Sequence, residues 1–243
     1  MKIKCTQLFF LLVAFQIYAQ KKDYLFLNPK MDCFSYKQTI IPAALFSGGL
    51  ILKNQSLNVQ LESSFQKLFG MNFKTEVDNY LQYETVLQIY GGHLLGFKSK
   101  NDLAHQTINI LVANAIMGGV VTTMKHFINE TRPDGTAYSF PSGHTATAFT
   151  NAALLFYEYK DSNIWYASSG FLFASATGAL RIANNKHYIS DVLAGSGIGL
   201  GIGLAISYWS PFQSLVLKQN KTHAIVYPQI GTNYGIGLVI ISN

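Results

Sequence analysis

QTINILVANAIMGGVVTTM, Gln106–Met124, runs for nineteen residues without a charged side chain. As a helix such a stretch is about 28 Å long, enough to run the length of a protein core or to cross the apolar part of a bilayer. Three more segments of the same kind follow. Ser139–Tyr157 carries only His144, while Ile164–Leu180 and Val192–Leu217 carry no charge. Short polar connections separate the four, and short connections make long neighbouring helices antiparallel, so the order predicts an up-and-down helical series. Gly, Ala, Ser and Thr are frequent in these segments and let backbones approach closely. Gly195, Gly199 and Gly203 recur every four residues on one helix face. That spacing suits tight packing rather than a nucleotide loop, because no strand precedes it.

Upstream, Thr39–Leu52 is apolar for fourteen residues, short of the ~20 that a span requires. Asn54–Val77 reads as polar and mixed, and Tyr80–Gly96 as an amphipathic helix bearing Glu84 and His93. Met1–Lys4, the apolar Leu8–Tyr18 and then Ala19-Gln20 have the layout of a secretory signal cleaved near residue 20. Downstream, Ser210-Pro211 stops the last helix, and Thr222–Ile241 reads as two short strands or an extended tail. The expected organisation is a signal peptide over 1–20, an all-α antiparallel bundle of about six helices over 21–209, and a tail over 210–243, extended or a β-hairpin.

Composition narrows the function. Of 243 residues 49% are hydrophobic and 12% charged, about half the usual charged fraction of ~25%. This excludes a disordered chain and one that coats nucleic acid. Mean hydropathy is +0.18, between a soluble protein and a dense membrane bundle. The net charge is +6, and Lys2 and Lys4 fall in the signal; the remaining surplus suits anionic substrates or lipid head groups. Cys5 also falls in the signal, leaving Cys33 alone, so neither an internal disulfide nor a cysteine metal cluster is expected.

Three polar clusters interrupt the apolar pattern, each at a helix end. Lys125 and Arg132 are seven apart, which places them on nearly one face of a helix that Pro133 terminates. Pro141-Ser142-Gly143-His144 precedes an apolar run, and Arg181, His187 and Asp191 bridge one helix end and the next helix start. Alternation of direction brings all three clusters to one pole of the bundle.

That pole is suited to an anion. Lys125, Arg132 and Arg181 are cations, two of them guanidinium forks matched to phosphate oxygens. Ser142, Gly143 and His144 open a helix, whose free N–H groups and dipole favour negative charge, and Gly143 lets the backbone come near. His187 and Asp191, spaced i, i+4, face each other. An aspartate on Nδ1 fixes the tautomer that leaves Nε2 free as a nucleophile. A second imidazole, His144, is placed to protonate a departing alkoxide.

The three clusters, in order and spacing, resemble the type 2 phosphatidic acid phosphatase (PAP2) superfamily, which includes bacterial non-specific acid phosphatases and vanadium haloperoxidases. The family pattern is Lys-x6-Arg-Pro, Pro-Ser-Gly-His, and Ser-Arg-x5-His-x3-Asp. Lys125, Arg132 and Pro133 match the first part and Pro141–His144 the second; Arg181, His187 and Asp191 match the third, with Leu180 where the family has Ser. The resemblance implies hydrolysis of a phosphomonoester or pyrophosphate through a phosphohistidine, with no cofactor and no metal. His187 is then the nucleophile, Asp191 orients it, and His144 is the acid. Lys125, Arg132, Ser142, Gly143 and Arg181 hold phosphate oxygens, and the hydroxyl missing at Leu180 is expected to weaken the ordering of Arg181 without abolishing the chemistry. His126, Glu130, Asp134 and Lys186 are read as solvated loop residues. The implied substrate is a lipid phosphate; with an exported N-terminus and only one of Thr39–Leu52 and Tyr80–Gly96 spanning, the site is expected to face the periplasm from the inner membrane. The alternatives are a soluble periplasmic acid phosphatase, a vanadate-dependent haloperoxidase and a non-catalytic membrane protein. Oligomeric state is left open.

Overall fold

The computed structural model describes residues 34–70, 73–209, 222–229 and 235–242. A 3-10 turn, Tyr36–Thr39, leads into α1 (Ile40–Lys53), followed by α2 (Ser56–Phe69), α3 (Val77–Leu81) and α4 (Glu84–Leu94). Four longer helices complete the bundle: α5 (Leu103–Ile128), α6 (Gly143–Tyr159), α7 (Ile164–Ala183) and α8 (Ile189–Trp209). The segment expected to be a signal peptide lies outside the described residues.

The helical bundle follows the pattern of the sequence, but the described residues hold eight α-helices instead of about six. The difference lies upstream. Tyr80–Gly96 is not one helix; α3 and α4 meet at a break around Gln82 and Tyr83. Asn54–Val77, read as mixed, contains α2 with its polarity turned inward. Asn58, Glu62 and Gln66, four residues apart, are buried, whereas Leu57, Val59, Leu61, Leu68 and Phe69 are exposed. A helical period is present, but its buried stripe is polar, the reverse of what identifies a surface helix in water.

Glycines set how closely α8 is held. A Cβ on Gly195 or Gly203 would stand 2.6 Å from the carbonyl oxygens of Ser142 and Thr150, on the α6 side. One on Gly197 would stand 2.6 Å from Phe46 N and Pro42 O, and one on Gly49 would stand 2.7 Å from Ala194 N, on the α1 side. Since those atoms are backbone and cannot swing aside, α8 is clasped between α1 and α6 by main-chain contact, as the glycine spacing predicts.

α6 also packs on α7, and α4 and α5 close the apolar core around Ile89, Ala113, Leu155 and Ala167. Two tyrosines sit in it with their hydroxyls satisfied: Tyr159 donates to Ile89 O (2.6 Å) and Tyr166 to Gln88 O (2.5 Å). α5 and α8 are long and apolar enough to cross a bilayer. The apolar window of α5 is mostly exposed, with Leu111, Ile116 and Val120 facing outward, whereas that of α8 is more than half buried.

Residues from 211 onward form a separate unit. There β1 (Thr222–Gln229) and β2 (Gly235–Ser242) pair antiparallel, Thr222 opposite Ser242 and Gln229 opposite Gly235.

Candidate functional site

Short connections bring the tips of α5, α6, α7 and α8 together, and the three clusters meet there. At its centre His187 and Asp191 are 1% and 0% exposed. His187 Nδ1 lies 3.1 Å from Asp191 Oδ2. The pair forms without the helical register that its spacing implies: α8 begins only at Ile189, so His187 precedes the helix. Asp191 instead reaches back over the first turn to accept from Tyr188 N at 3.0 Å, as the acidic residue of a capping box does. Ser139, which the spacing arguments passed over, donates to the same oxygen at 2.5 Å, and Ser190 Oγ approaches Oδ1 at 3.3 Å. With its carboxylate so surrounded, Asp191 holds one edge of the imidazole and leaves Nε2 on the other.

The cations converge on that ring. Burial first, and then the charges of Lys125, Arg181 and Arg132, hold His187 well below the ordinary value of 6.5. The ring is therefore neutral at physiological pH. Arg132 is itself lowered by burial and next by the repulsion of Arg181, so like charges are gathered here more tightly than the protein alone neutralises.

The arginines reach the pocket by different routes. Arg132 is not on the helix of Lys125, because Asn129 at φ 45° caps α5 in the left-handed conformation a turn earlier than Pro133 would. It lies instead in a turn whose Arg132 N donates to Thr136 O at 2.7 Å, with Gly135 at φ +84°, a conformation open to glycine. Arg181 is on the last turn of α7, 7% exposed, and its Nη1 donates to Asp78 Oδ2 at 2.8 Å. Where the family pattern has a hydroxyl beside this arginine, a carboxylate from α3 pairs with it. The Nε atoms of both Arg132 and Arg181 are buried and have no hydrogen-bond partner.

The remaining predicted residues are present with specific partners. Lys125 Nζ donates to Tyr138 O (2.6 Å) and Ser139 O (3.0 Å), using two of its three donors to hold the loop that carries Ser139. Ser142 is fully buried, and its N–H donates to Asp191 O at 3.0 Å, joining the starts of α6 and α8. Its hydroxyl is 2.9 Å from Thr145 Oγ1 and makes no helix cap. Gly143 is the first residue of α6, so its N–H has no partner within the helix. A Cβ there would meet only Val121, at 3.7 Å; no crowding by the protein demands glycine. His144 Nε2 lies 2.9 Å from Asn79 Oδ1. Three of the residues read as solvated are in ion pairs, Lys186 with Asp134 at 2.7 Å and Glu130 with Lys53 at 3.4 Å.

Asn185, at φ 59°, makes the α7–α8 turn as expected of asparagine. Asn184 beside it grips α3 from the side, donating to Thr75 O (2.9 Å) and Asp78 Oδ1 (3.0 Å). Next to this turn opens a cavity of about 940 Å³, lined among others by Lys74, Asp78, Asn79, Asp134, Arg181 and Lys186.

Comparison with known proteins bears on this arrangement. The chain is 39% identical over 140 residues to a lipid A 1-phosphatase of Porphyromonas gingivalis, covering 57% of this chain and 31% of that one. It is 26% identical over 157 residues to a PA-phosphatase related-family protein of Dictyostelium discoideum, covering 54% of this chain and 58% of the relative. The chain thus spans about a third and somewhat over half of these relatives. A transmembrane PAP2-type phosphatidylglycerolphosphate phosphatase of Bacillus subtilis shares the fold, with a TM-score of 0.50 at 18% identity over 73% of this chain and 98% of that one. Residues 106–214, which supply every predicted group of the pocket, match the model of the PAP2 superfamily.

Proposed function

We propose that the protein is a phosphatase that hydrolyses a phosphate ester carried on a lipid, through a phosphohistidine on His187. The observation that carries the reading is the pair of buried arginine Nε donors without partners beside a neutral imidazole held by Asp191. A buried donor left unpaired is unfavourable, and a tetrahedral oxyanion satisfies both arginines while neutralising the excess positive charge. His187 Nε2 attacks phosphorus, the ester P–O bond breaks, and His144 gives a proton to the departing oxygen; burial and then Arg181 lower the ring to about 4 in the free pocket, so it takes up that proton as an imidazolium under the negative charge of the bound ester. Water then attacks the phosphorus of the phosphohistidine, His144 takes a proton from that water, the N–P bond breaks, and orthophosphate leaves. Lys125, Arg132, Arg181 and the Gly143 N–H face the three equatorial oxygens, where charge gathers in the transition state.

Two features support a lipid substrate. α2 and α5 expose apolar side chains, as suits elements in contact with acyl chains, and the curated relatives named above include a lipid A phosphatase. The cavity beside Arg181 has room for a polar head group whose chains remain in the bilayer. We place the pole of the helix tips on the exterior side, on the reading that an exported N-terminus is followed by one crossing upstream of α5.

The test is phosphate release by the purified protein from p-nitrophenyl phosphate, lipid A, phosphatidylglycerol phosphate and an isoprenyl pyrophosphate, each with and without EDTA. The expected result is release from at least one lipid, unchanged by chelator. Loss of activity in EDTA overturns the metal-free route, and halide oxidation with added vanadate in its place supports the haloperoxidase reading. Sidedness is read from Ala137→Cys in a cysteine-free background: an impermeant thiol reagent labels it in intact cells, and protection reverses the orientation.

A further inference from the structure

Both ends of the proposed chemistry are gripped by adjacent residues that lie upstream of the family-matched stretch 106–214. Asp78 is 1% exposed on the five-residue α3, where Oδ2 accepts from Arg181 Nη1 at 2.8 Å and Oδ1 from Asn184 Nδ2 at 3.0 Å. The next residue, Asn79, sets Oδ1 2.9 Å from His144 Nε2. α3 is in turn fastened to the α7–α8 turn, since Thr75 N donates to Asn184 Oδ1 at 2.9 Å and Asn184 returns a bond to Thr75 O.

We infer that Asp78 and Asn79 are positioning residues for the phosphatase reaction, Asp78 setting the Arg181 fork and Asn79 the His144 ring. The inference rests on the phosphatase reading above. A guanidinium has five donors in a fixed plane. With Nη1 committed to Asp78, the plane is fixed, and with it the direction of the unpartnered Nε–H. The family pattern places a hydroxyl next to this arginine; here position 180 is leucine, and a carboxylate from another helix serves instead. An oxygen acceptor on Nε2 requires His144 to carry a hydrogen there. Asn79 therefore keeps a hydrogen on the nitrogen that faces the leaving oxygen, the one that oxygen draws once the bound phosphate's charge has made the ring an imidazolium, and holds the ring plane until that oxygen replaces the amide. Neither residue touches phosphorus; each acts through its partner.

The two residues are separable by kinetics on the full chain in detergent, with orthophosphate as the binding probe. Asp78→Ala is expected to raise KM and weaken orthophosphate binding by roughly 10- to 100-fold, the range for groups that orient a ligand-holding side chain. Asp78→Asn recovers most of this, since an amide oxygen still accepts from Nη1. Asn79→Ala is expected to lower kcat by a similar factor with KM nearly unchanged, and to shift the His144 ring resonances in NMR. Asn79 is exposed, so this variant folds even if Asp78→Ala does not. Wild-type kcat, KM and orthophosphate affinity in both single-site Ala variants overturn the inference. If the wild-type protein hydrolyses no ester, the phosphatase reading fails. Orthophosphate affinity and the His144 resonances then still decide whether these residues position the pocket, and unchanged values in the variants reject it.

Discussion

α5 and α6 carry buried polar groups at both of their ends, in contrasting states. At the end remote from the pocket, Glu158 Oε2 accepts from Asn101 N (2.9 Å) and Gln106 Nε2 (3.1 Å), and Oε1 accepts from Asn101 Nδ2 (2.6 Å). Gln106 Oε1 meets His93 Nε2 at 2.9 Å. Both carboxylate oxygens and both ends of the amide are partnered, and one acid is shared among neutral donors. At the near end, three cations crowd a neutral imidazole, and two arginine Nε donors have no protein partner. A network that closes on itself stabilises a fold; one that the protein leaves open on the donor side is built for something brought from outside. Buried polarity alone therefore does not mark a site. Unmet valence does.

The contrast can be broken in order of expected effect. His187→Ala removes the proposed nucleophile and should lower phosphate release per folded molecule by at least about 10⁴-fold. Retained turnover would end the phosphohistidine reading. Arg132→Ala, deleting one open donor set, should reduce kcat/KM by about 10²–10³-fold, and a titration should show weaker orthophosphate binding in step. Glu158→Ala, at the closed end, is expected to do the opposite. It should cost about 2 kcal/mol of stability through lost charged hydrogen bonds, seen as a lower melting temperature, while kcat per folded molecule changes little. An equal loss of kcat in this variant would erase the distinction between the ends.

The smallest effect is a pH dependence. Below about 6.5 the unfolded chain binds a proton at His187, whereas the buried ring, lowered first by burial and then by the three cations, refuses it. Unfolding then takes up a proton, so stability declines as pH falls from that value toward the depressed one, by at most about 1.4 kcal/mol per pH unit. Melting curves at pH 7, 6 and 5 should fall more steeply for wild type than for His187→Gln. Orthophosphate should reduce the difference by supplying the missing negative charge.

Much of this was legible in the residues. Charge-free stretches and short connections fixed the direction of α5 to α8, and direction alone carried Lys125, His144 and His187 to one pole. Glycine spacing along α8 announced main-chain contact, although α1 as its second neighbour was not evident. What escaped had physical causes. α2 reads as mixed because its buried face is polar, so a rule that equates burial with hydrophobicity does not register it. Asp78 lies 103 residues from Arg181 and Asn79 lies 65 from His144, and nothing local announces such a pairing. Ser139 escaped because a lone serine ahead of Pro-Ser-Gly-His has no spacing signature. Arg132 was placed correctly at the pole but on the wrong backbone, since Asn129 can end a helix as readily as the proline beyond it.

The inside-out character of α2 has a practical consequence for handling the molecule. Leu57, Val59, Leu61, Leu68 and Phe69 point away from the protein, so when amphiphile is scarce this ridge is the first surface to seek company from other copies. Particle sizes measured under such starvation report avoidance of water, not recognition between subunits. Estimates of how many chains assemble are meaningful only when they hold constant as micelles are added.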